Sequence, residues 1–259
     1  MLNLINTIIL GIVEGFTEFL PISSTAHLTL ASNLLHIIQS DYMKSFEIII
    51  QAGAILAVVC LYWKKLFNWE IFKRIIIAFI PTGILGLIFY KVIKHYLLGN
   101  TNVILWALFL GGILIILFEK LRRSAVSDKE ITDISYKQCL GLGLFQSIAM
   151  VPGVSRSAAT IIGGMLMGLK REVIVEFSFL LAVPTMIAAT GLDLVKNVGN
   201  FSLSQIHFLL IGFIVSFIMA VISIKFLLNY IRKHTFTVFG AYRIIIAIVF
   251  FIVLTLQIK

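Results

Sequence analysis

Six stretches of this chain, at 44–63, 71–90, 102–121, 173–195, 206–230 and 239–257, are predominantly apolar. Each reaches the roughly 20 residues that a helix needs to cross the hydrocarbon of a bilayer. In that solvent every backbone N–H and C=O must be paired inside the protein, which leaves helices as the structure such segments can adopt. The spacing therefore predicts an all-α polytopic membrane protein with six transmembrane helices. Composition agrees, with 60% hydrophobic and 13% charged residues against about 25% charged in a soluble domain. The net charge of +9 does not point to nucleic acid, because the basic residues sit in short connectors rather than on one face or tail. Cys60 and Cys139 lie in apolar segments without CxxC spacing. They read as reduced core residues, not as a disulfide or metal pair. The first residues, MLNLINTIIL, have neither a basic n-region nor a small-residue cleavage site and are expected to stay in the mature chain.

Four shorter apolar segments come in two pairs, 3–20 with 25–38 and 137–151 with 157–169, each pair interrupted by a turn rich in Pro and Ser. We expect two re-entrant helical hairpins. Irregular backbone at membrane depth is tolerated only where protein buries it or water reaches it, so both turns should line one cavity. The hairpins also resemble each other. A shift of 132 carries Gly11 onto Gly143, Glu14 onto Gln146, Ser23 onto Ser155, Thr25 onto Ser157 and Ala26 onto Ala158. The segment Phe46–Ala57 repeats the apolar pattern of Phe177–Ala188. This divides the chain into a first repeat at 1–121, a connector at 122–136 and a second repeat at 137–259, each repeat holding one hairpin and three spans. Three crossings is an odd number, so the second repeat should be inverted relative to the first, with the broken segments meeting near the midplane. Lys and Arg cluster in the connectors around 64–74, 120–137, 170–171 and 232–233, while the other side has only Lys44, Lys91, Lys94, Lys196 and Lys259. The richer side is expected to be cytoplasmic, which puts the mouth of the first hairpin outside.

The chemistry concentrates in the two turns. GIVEGFTEFLPISSTAHL, from Gly11 to Leu28, carries Glu14 and Glu18 four apart, on one helical face where like charges repel. Pro21, Ser23, Ser24, Thr25 and His27 follow. Such a pair inside an apolar segment needs something to use or neutralise it, and intramembrane charge is a functional feature by default. VPGVSRSAAT, from Val151 to Thr160, sets Arg156 between Ser155 and Ser157 with Thr160 one turn on. A planar guanidinium among hydroxyls, at the start of a helix, describes an anion cradle suited to phosphate. Glu14 and Glu18 offer the hard oxygen ligands that Mg²⁺ or Ca²⁺ takes, together with the phosphates. Ser24 or Ser23 could serve as nucleophile with His27 moving the proton, a set that looks like phosphoryl transfer. The blander reading makes Arg156 only the counter-ion of the carboxylates. Glu47, Glu176 and Asp193 read as packing or supporting hydrogen bonds, with Glu47 the one placed to extend the acidic site, and Arg243 and Lys225 as snorkelling or paired cations. Trp63, Trp69 and Trp106 read as interface belts or lipid contacts. His36, His95, His207 and His234 lack metal-ligand spacing.

GIVEGFTEFLPISSTAH and PGVSRSAAT closely resemble the two signature stretches of the undecaprenyl-diphosphate phosphatases, the BacA/UppP family, and FEIIIQAGAILAV and EFSFLLAVP look like its flanking segments. The resemblance runs in order over nearly the whole chain. It implies removal of one phosphate from undecaprenyl diphosphate outside the bacterial cell membrane, regenerating the carrier lipid of cell-wall synthesis, and a role in bacitracin resistance. By position it implies Glu14 and Glu18 as the acidic motif, Ser24 as nucleophile, His27 as acid/base, and Ser155, Arg156 and Thr160 as phosphate binders. The implied partners are a prenyl diphosphate lipid and the membrane, and either a monomer or a homodimer is compatible. Ala26 and Ala158 stand where the family usually has glycine, and alanine there would strain the turn if the position required φ > 0. The main alternative is a transporter or flippase for an anionic lipid, since inverted repeats and broken helices serve transport equally well. Such a protein has less need of Glu14, Glu18, Ser24 and His27 together. A purely structural scaffold would need none of the buried polar set.

Overall fold

A computed structural model describes residues 2–38, 40–97, 99–121, 130–197 and 206–257. Most of the connector, and with it Arg122, Arg123 and Lys129 of the orientation argument, lies outside the described residues, as do Lys259 and the side chains of Lys94, Asp193 and Lys196. The six apolar stretches are helices α3 (Asp41–Leu66), α4 (Trp69–Val92), α5 (Thr101–Leu121), α8 (Arg171–Asn197), α9 (Ile206–Ile231) and α10 (Thr237–Gln257). Each is long and apolar enough to cross a membrane. The four shorter segments are α1 (Leu4–Thr17), α2 (Ser24–Leu34), α6 (Tyr136–Ser147) and α7 (Arg156–Leu166). The chain is thus an all-α polytopic membrane protein. No strand occurs among the described residues.

Local chemistry sets where the short helices begin. Asn3 caps α1, its side chain accepting from the Asn6 N–H, and Ser135 and Gln138 form a reciprocal capping box on α6. Ser23 and Ser155 cap α2 and α7, accepting from the N–H of Ala26 and Ala158. Both serines have positive φ, 74° and 59°, a region that costs a non-glycine residue about 1–3 kcal/mol. The strain sits on these caps and not on Ala26 or Ala158, which lie inside the first helical turns, contrary to the concern raised by the missing glycines.

One short helix of each pair beds on a long helix from the opposite half of the chain. Helix α1 packs on α9 and α6 packs on α4, while α3 pairs with α8 and α5 with α10. The first two contacts are backbone to backbone. A Cβ on Gly15 would come within 2.2 Å of the Ser216 carbonyl oxygen, and one on Gly143 within 2.1 Å of that of Ala78. Close approach through small residues is how helices associate where lipid removes the hydrophobic drive between them. The largest buried cluster, including Phe19, Val58, Ile75, Phe177, Phe179 and Leu180, lies under the first turn and the central helices. A smaller one packs Ala26 and Leu30 of α2 against Ile104, Leu105 and Leu108 of α5 and Ala247 of α10.

Outward faces are apolar: Leu87, Ile88, Leu114 and Ile245 are all exposed. Trp63, Trp69 and Trp106 are exposed too, as expected of lipid or interface contacts. The expectation for the cysteines needs one correction. Both thiols are free, but only Cys139 is buried; Cys60 is exposed because it falls on the outward side of α3.

Candidate active site

The first turn, residues 18–23, follows the end of α1 and carries Pro21, whose missing N–H and fixed φ keep the helix from continuing. The second, residues 148–155, runs through a short 3-10 segment and Gly153 at φ 96°. A Cβ on Gly153 would also lie 2.7 Å from the Ile104 carbonyl oxygen, so both the torsion and the space there call for glycine. Each turn ends by opening a helix, so the N-termini of α2 and α7 meet in one region, which favours an anion.

The turns are joined side chain to backbone and side chain to side chain. Ser157 Oγ donates to the Phe19 carbonyl at 2.9 Å and Ser155 Oγ to that of Leu20 at 3.5 Å. Arg156 Nη2 donates to Glu18 Oε1 at 2.9 Å and Nη1 to the Ser178 carbonyl at 3.0 Å. The other carboxylate oxygen of Glu18 accepts from Ser24 Oγ at 2.5 Å. One continuous line of contacts therefore runs from the Ser24 hydroxyl through Glu18 to the guanidinium, joining the two turns through residues 138 apart in the chain. Glu18 and Arg156 are both nearly withdrawn from solvent, with side chains 6% and 11% exposed.

Glu14, one turn back on α1, is fully buried, and neither of its carboxylate oxygens has a hydrogen-bond partner. Glu18, Glu47 and Arg156 all lie close enough to act on it electrostatically. An orphaned buried carboxylate beside a second one is the donor set that a hard divalent cation takes, with phosphate oxygens completing its shell. The fit is to a shared site. No group of three or more His, Cys, Asp and Glu suited to hold a metal occurs among the described residues. Arg156 Nε and Ser178 Oγ are likewise buried and unpartnered, leaving donors unsatisfied beside the acidic pair.

The remaining sequence-predicted residues fall as follows. Ser23 is buried and engaged as the α2 cap, while Thr25 is exposed at the mouth of the turn. Thr160 is buried, its hydroxyl donating to the Arg156 carbonyl at 2.9 Å. His27 is joined to its surroundings through both ring nitrogens, Nδ1 at 2.8 Å from the Ser23 carbonyl and Nε2 at 2.8 Å from Tyr242 Oη. The group in contact with Ser24 is thus Glu18 and not the imidazole.

Two features escape sequence reasoning. Arg243 neither snorkels nor pairs, as its type suggested. It is 1% exposed and donates to four backbone carbonyls, those of Ala107 and Leu108 on α5, Pro21 in the first turn and Gly153 in the second. A lone arginine in an apolar helix carries no sequence signal for carbonyls that distant. Glu119 is the other. Both of its carboxylate oxygens accept from Arg171 Nη2, at 2.9 and 2.8 Å, and one accepts also from the Phe236 N–H. Glu176 pairs with Lys65, and Lys225 is exposed.

The chain resembles curated proteins named undecaprenyl-diphosphatase along its whole length. One from Aquifex aeolicus is 52% identical over 244 residues, covering 94% of this chain and 95% of that protein. Another from Sulfurihydrogenibium is 52% identical over 96% of this chain and 98% of its own length. A third, from Wolinella succinogenes, is 48% identical over 98% of this chain and all of its own. Residues 7–249 match the family described as bacitracin resistance protein BacA. That span contains both turns and every side chain just placed around them, and on this match the chain belongs to the bacitracin resistance protein BacA family.

Proposed function

We propose that the protein is an integral membrane phosphatase that hydrolyses undecaprenyl diphosphate to undecaprenyl phosphate and inorganic phosphate. It thereby recycles the carrier lipid of cell-wall synthesis and confers bacitracin resistance. The observation that carries the assignment to these residues is the line Ser24–Glu18–Arg156 at the meeting of two helix N-termini. The relatives' shared name supplies the substrate.

In this reading Arg156 receives the terminal phosphate, with its unpartnered Nε as the first free donor. Ser155, Ser157 and Thr160 shape the cradle, and Ser23 and Thr25 border it on the opposite side. Ser24 Oγ attacks the terminal phosphorus while its proton passes to Glu18 Oε2. The bond from that phosphorus to the bridging oxygen breaks, and Glu18 hands the proton to the departing undecaprenyl phosphate. The neutral His27 ring then takes, at Nε2, the proton of the water that hydrolyses the seryl phosphate and passes it to Ser24 Oγ, releasing inorganic phosphate and restoring the Ser24 hydroxyl. Ser24 is favoured over Ser23 because Ser23 Oγ is committed to the helix cap. Glu14 and Glu18 would hold a Mg²⁺ or Ca²⁺ ion, which supplies neutralisation of the diphosphate charge.

The two short-helix pairs are read as re-entrant hairpins in an inverted repeat, with the site open to the outer side. Their exchange of partners, α1 with α9 and α6 with α4, supports the repeat, and the Lys and Arg bias of the connectors supports the orientation. The test is phosphate release from a prenyl diphosphate by purified protein in detergent. Release is expected from the wild type, and loss in Glu18→Gln, in Arg156→Ala and on adding a chelator, the last reversed by Mg²⁺ or Ca²⁺. Movement of the lipid across liposomes with no phosphate released would overturn the assignment in favour of a transporter.

A further inference from the structure

We propose that Tyr242, on α10, is a positioning residue that holds the His27 imidazole in one orientation at the start of α2, with Nε2 as its proton-exchanging position. The kinetic part of this inference rests on the phosphatase reading above; the structural part does not.

The tautomer follows from the partners. The Ser23 carbonyl oxygen, 2.8 Å from Nδ1, can only accept, so Nδ1 carries the proton. The neutral ring then has its lone pair at Nε2, 2.8 Å from the Tyr242 hydroxyl, which donates to it. If the ring is charged, Nε2–H donates to the same oxygen, so the tyrosine serves both states. Nε2 is therefore the one ring atom at which a proton can come or go without breaking the bond to Ser23. The two rings are also nearly parallel, 5° apart with centroids 5.5 Å from each other, which fixes the imidazole about both of its torsions. The Tyr242 backbone is anchored, because its neighbour Arg243 is bonded to both turns.

A second observation separates this pair from simple support of the turn. Ser155 caps α7 with the same strained backbone as Ser23, at φ 59° against 74°. The residue four places on donates its N–H to the cap carbonyl in both hairpins, at 3.0 Å in one and 3.2 Å in the other. In the second hairpin that residue is Ala159, so the cap forms with no imidazole beside it. The His27–Tyr242 pair occurs in the hairpin that carries Glu18 and Ser24, where a fixed proton-exchanging nitrogen has a use.

The experiment uses the full-length protein in detergent with a prenyl diphosphate. Tyr242→Phe keeps the ring and removes only the hydroxyl. It should lower kcat about five- to tenfold, the worth of one well-made hydrogen bond, with KM unchanged. In a His27→Gln background the same change should cost nothing further, because both act through one nitrogen. Independently of activity, ¹⁵N spectra assigned by loss of the His27 signals in His27→Gln should show the Nδ1–H tautomer, held by Ser23, in both proteins, with the Nε2 resonance shifted in Tyr242→Phe by loss of its hydrogen bond. The proposal is overturned by wild-type kcat in Tyr242→Phe or in His27→Gln, by losses that add, or by an unchanged ¹⁵N spectrum. A wild-type protein that releases no phosphate would remove the phosphatase reading, and the ¹⁵N comparison would still decide whether Tyr242 holds Nε2.

Discussion

Replacing Arg243 by methionine should loosen the whole site from a distance, and the cost can be worked from its four bonds. Ala107 and Leu108 lie inside α5, where their carbonyls keep helical partners after the guanidinium is gone. Pro21 and Gly153 are in the turns, and Arg243 is the one backbone-carbonyl donor they have among the described residues. Stranding a buried acceptor costs about 1–3 kcal/mol, so the two together lose about 2–6 kcal/mol, lowered where water enters to replace the donor. Taking about 3 kcal/mol and about 2–4 °C per kcal/mol for a chain of this size, Tm should fall by about 6–12 °C. Arg243→Lys keeps the charge but not the planar fork, and should fall between the two. The assay is thermal unfolding in detergent followed by intrinsic fluorescence, with phosphate release measured at a temperature where both proteins are folded. Release should drop as well, since the same side chain holds both turns in register. An Arg243→Met protein with Tm within about 2 °C of wild type and unchanged turnover would refute the view that this cation staples the turns.

Two further outcomes follow from the packing. Gly15→Ala drives a Cβ to 2.2 Å from the Ser216 carbonyl and should destabilise by about 1–3 kcal/mol, read as a lower Tm. Gly191→Ala meets open space and should be neutral or stabilising by up to about 1 kcal/mol. Glu119→Gln breaks the ion pair with Arg171, in which the Glu119 side chain is 5% exposed, and should cost about 3–5 kcal/mol of thermal stability. A charge-reversed pair, Glu119→Arg with Arg171→Glu, should recover part of that loss, and no recovery would argue against the ion pair as the source.

Helices were the legible part of this chain, and the reason is physical. A span must be apolar over a fixed length whatever packs beside it, so 44–63 or 206–230 announces itself without its neighbours. The two turns were legible for a related reason: Glu14, Glu18 and Arg156 are too costly at membrane depth to be there without a partner, and Glu18 and Arg156 do meet. What stayed hidden depends on contacts between distant parts of the chain. Arg243 looks like any cation in an apolar helix until the carbonyls of Pro21 and Gly153 are brought to it. Tyr242 gave no hint of a histidine 215 residues away. The exposure of Cys60 also escaped, because in a helix apolar all round no periodicity separates the face toward lipid from the face toward protein. Ser23 and Ser155 show the same limit on a smaller scale. Their place in the motif was plain, but positive φ on a serine is a property of the closed turn and not of the residue.

The crossed bedding of the short helices bears on how the polypeptide is made. Helix α1 rests on α9, which begins at Ile206, so most of the chain must leave the ribosome before α1 finds its seat. Helix α6, by contrast, finds α4 already in place. Glu18 meets Arg156 only once α7 is made, and Gly11 and Gly15 of α1 have nothing to close on until α9 arrives. Completion of the second half is thus what closes the first.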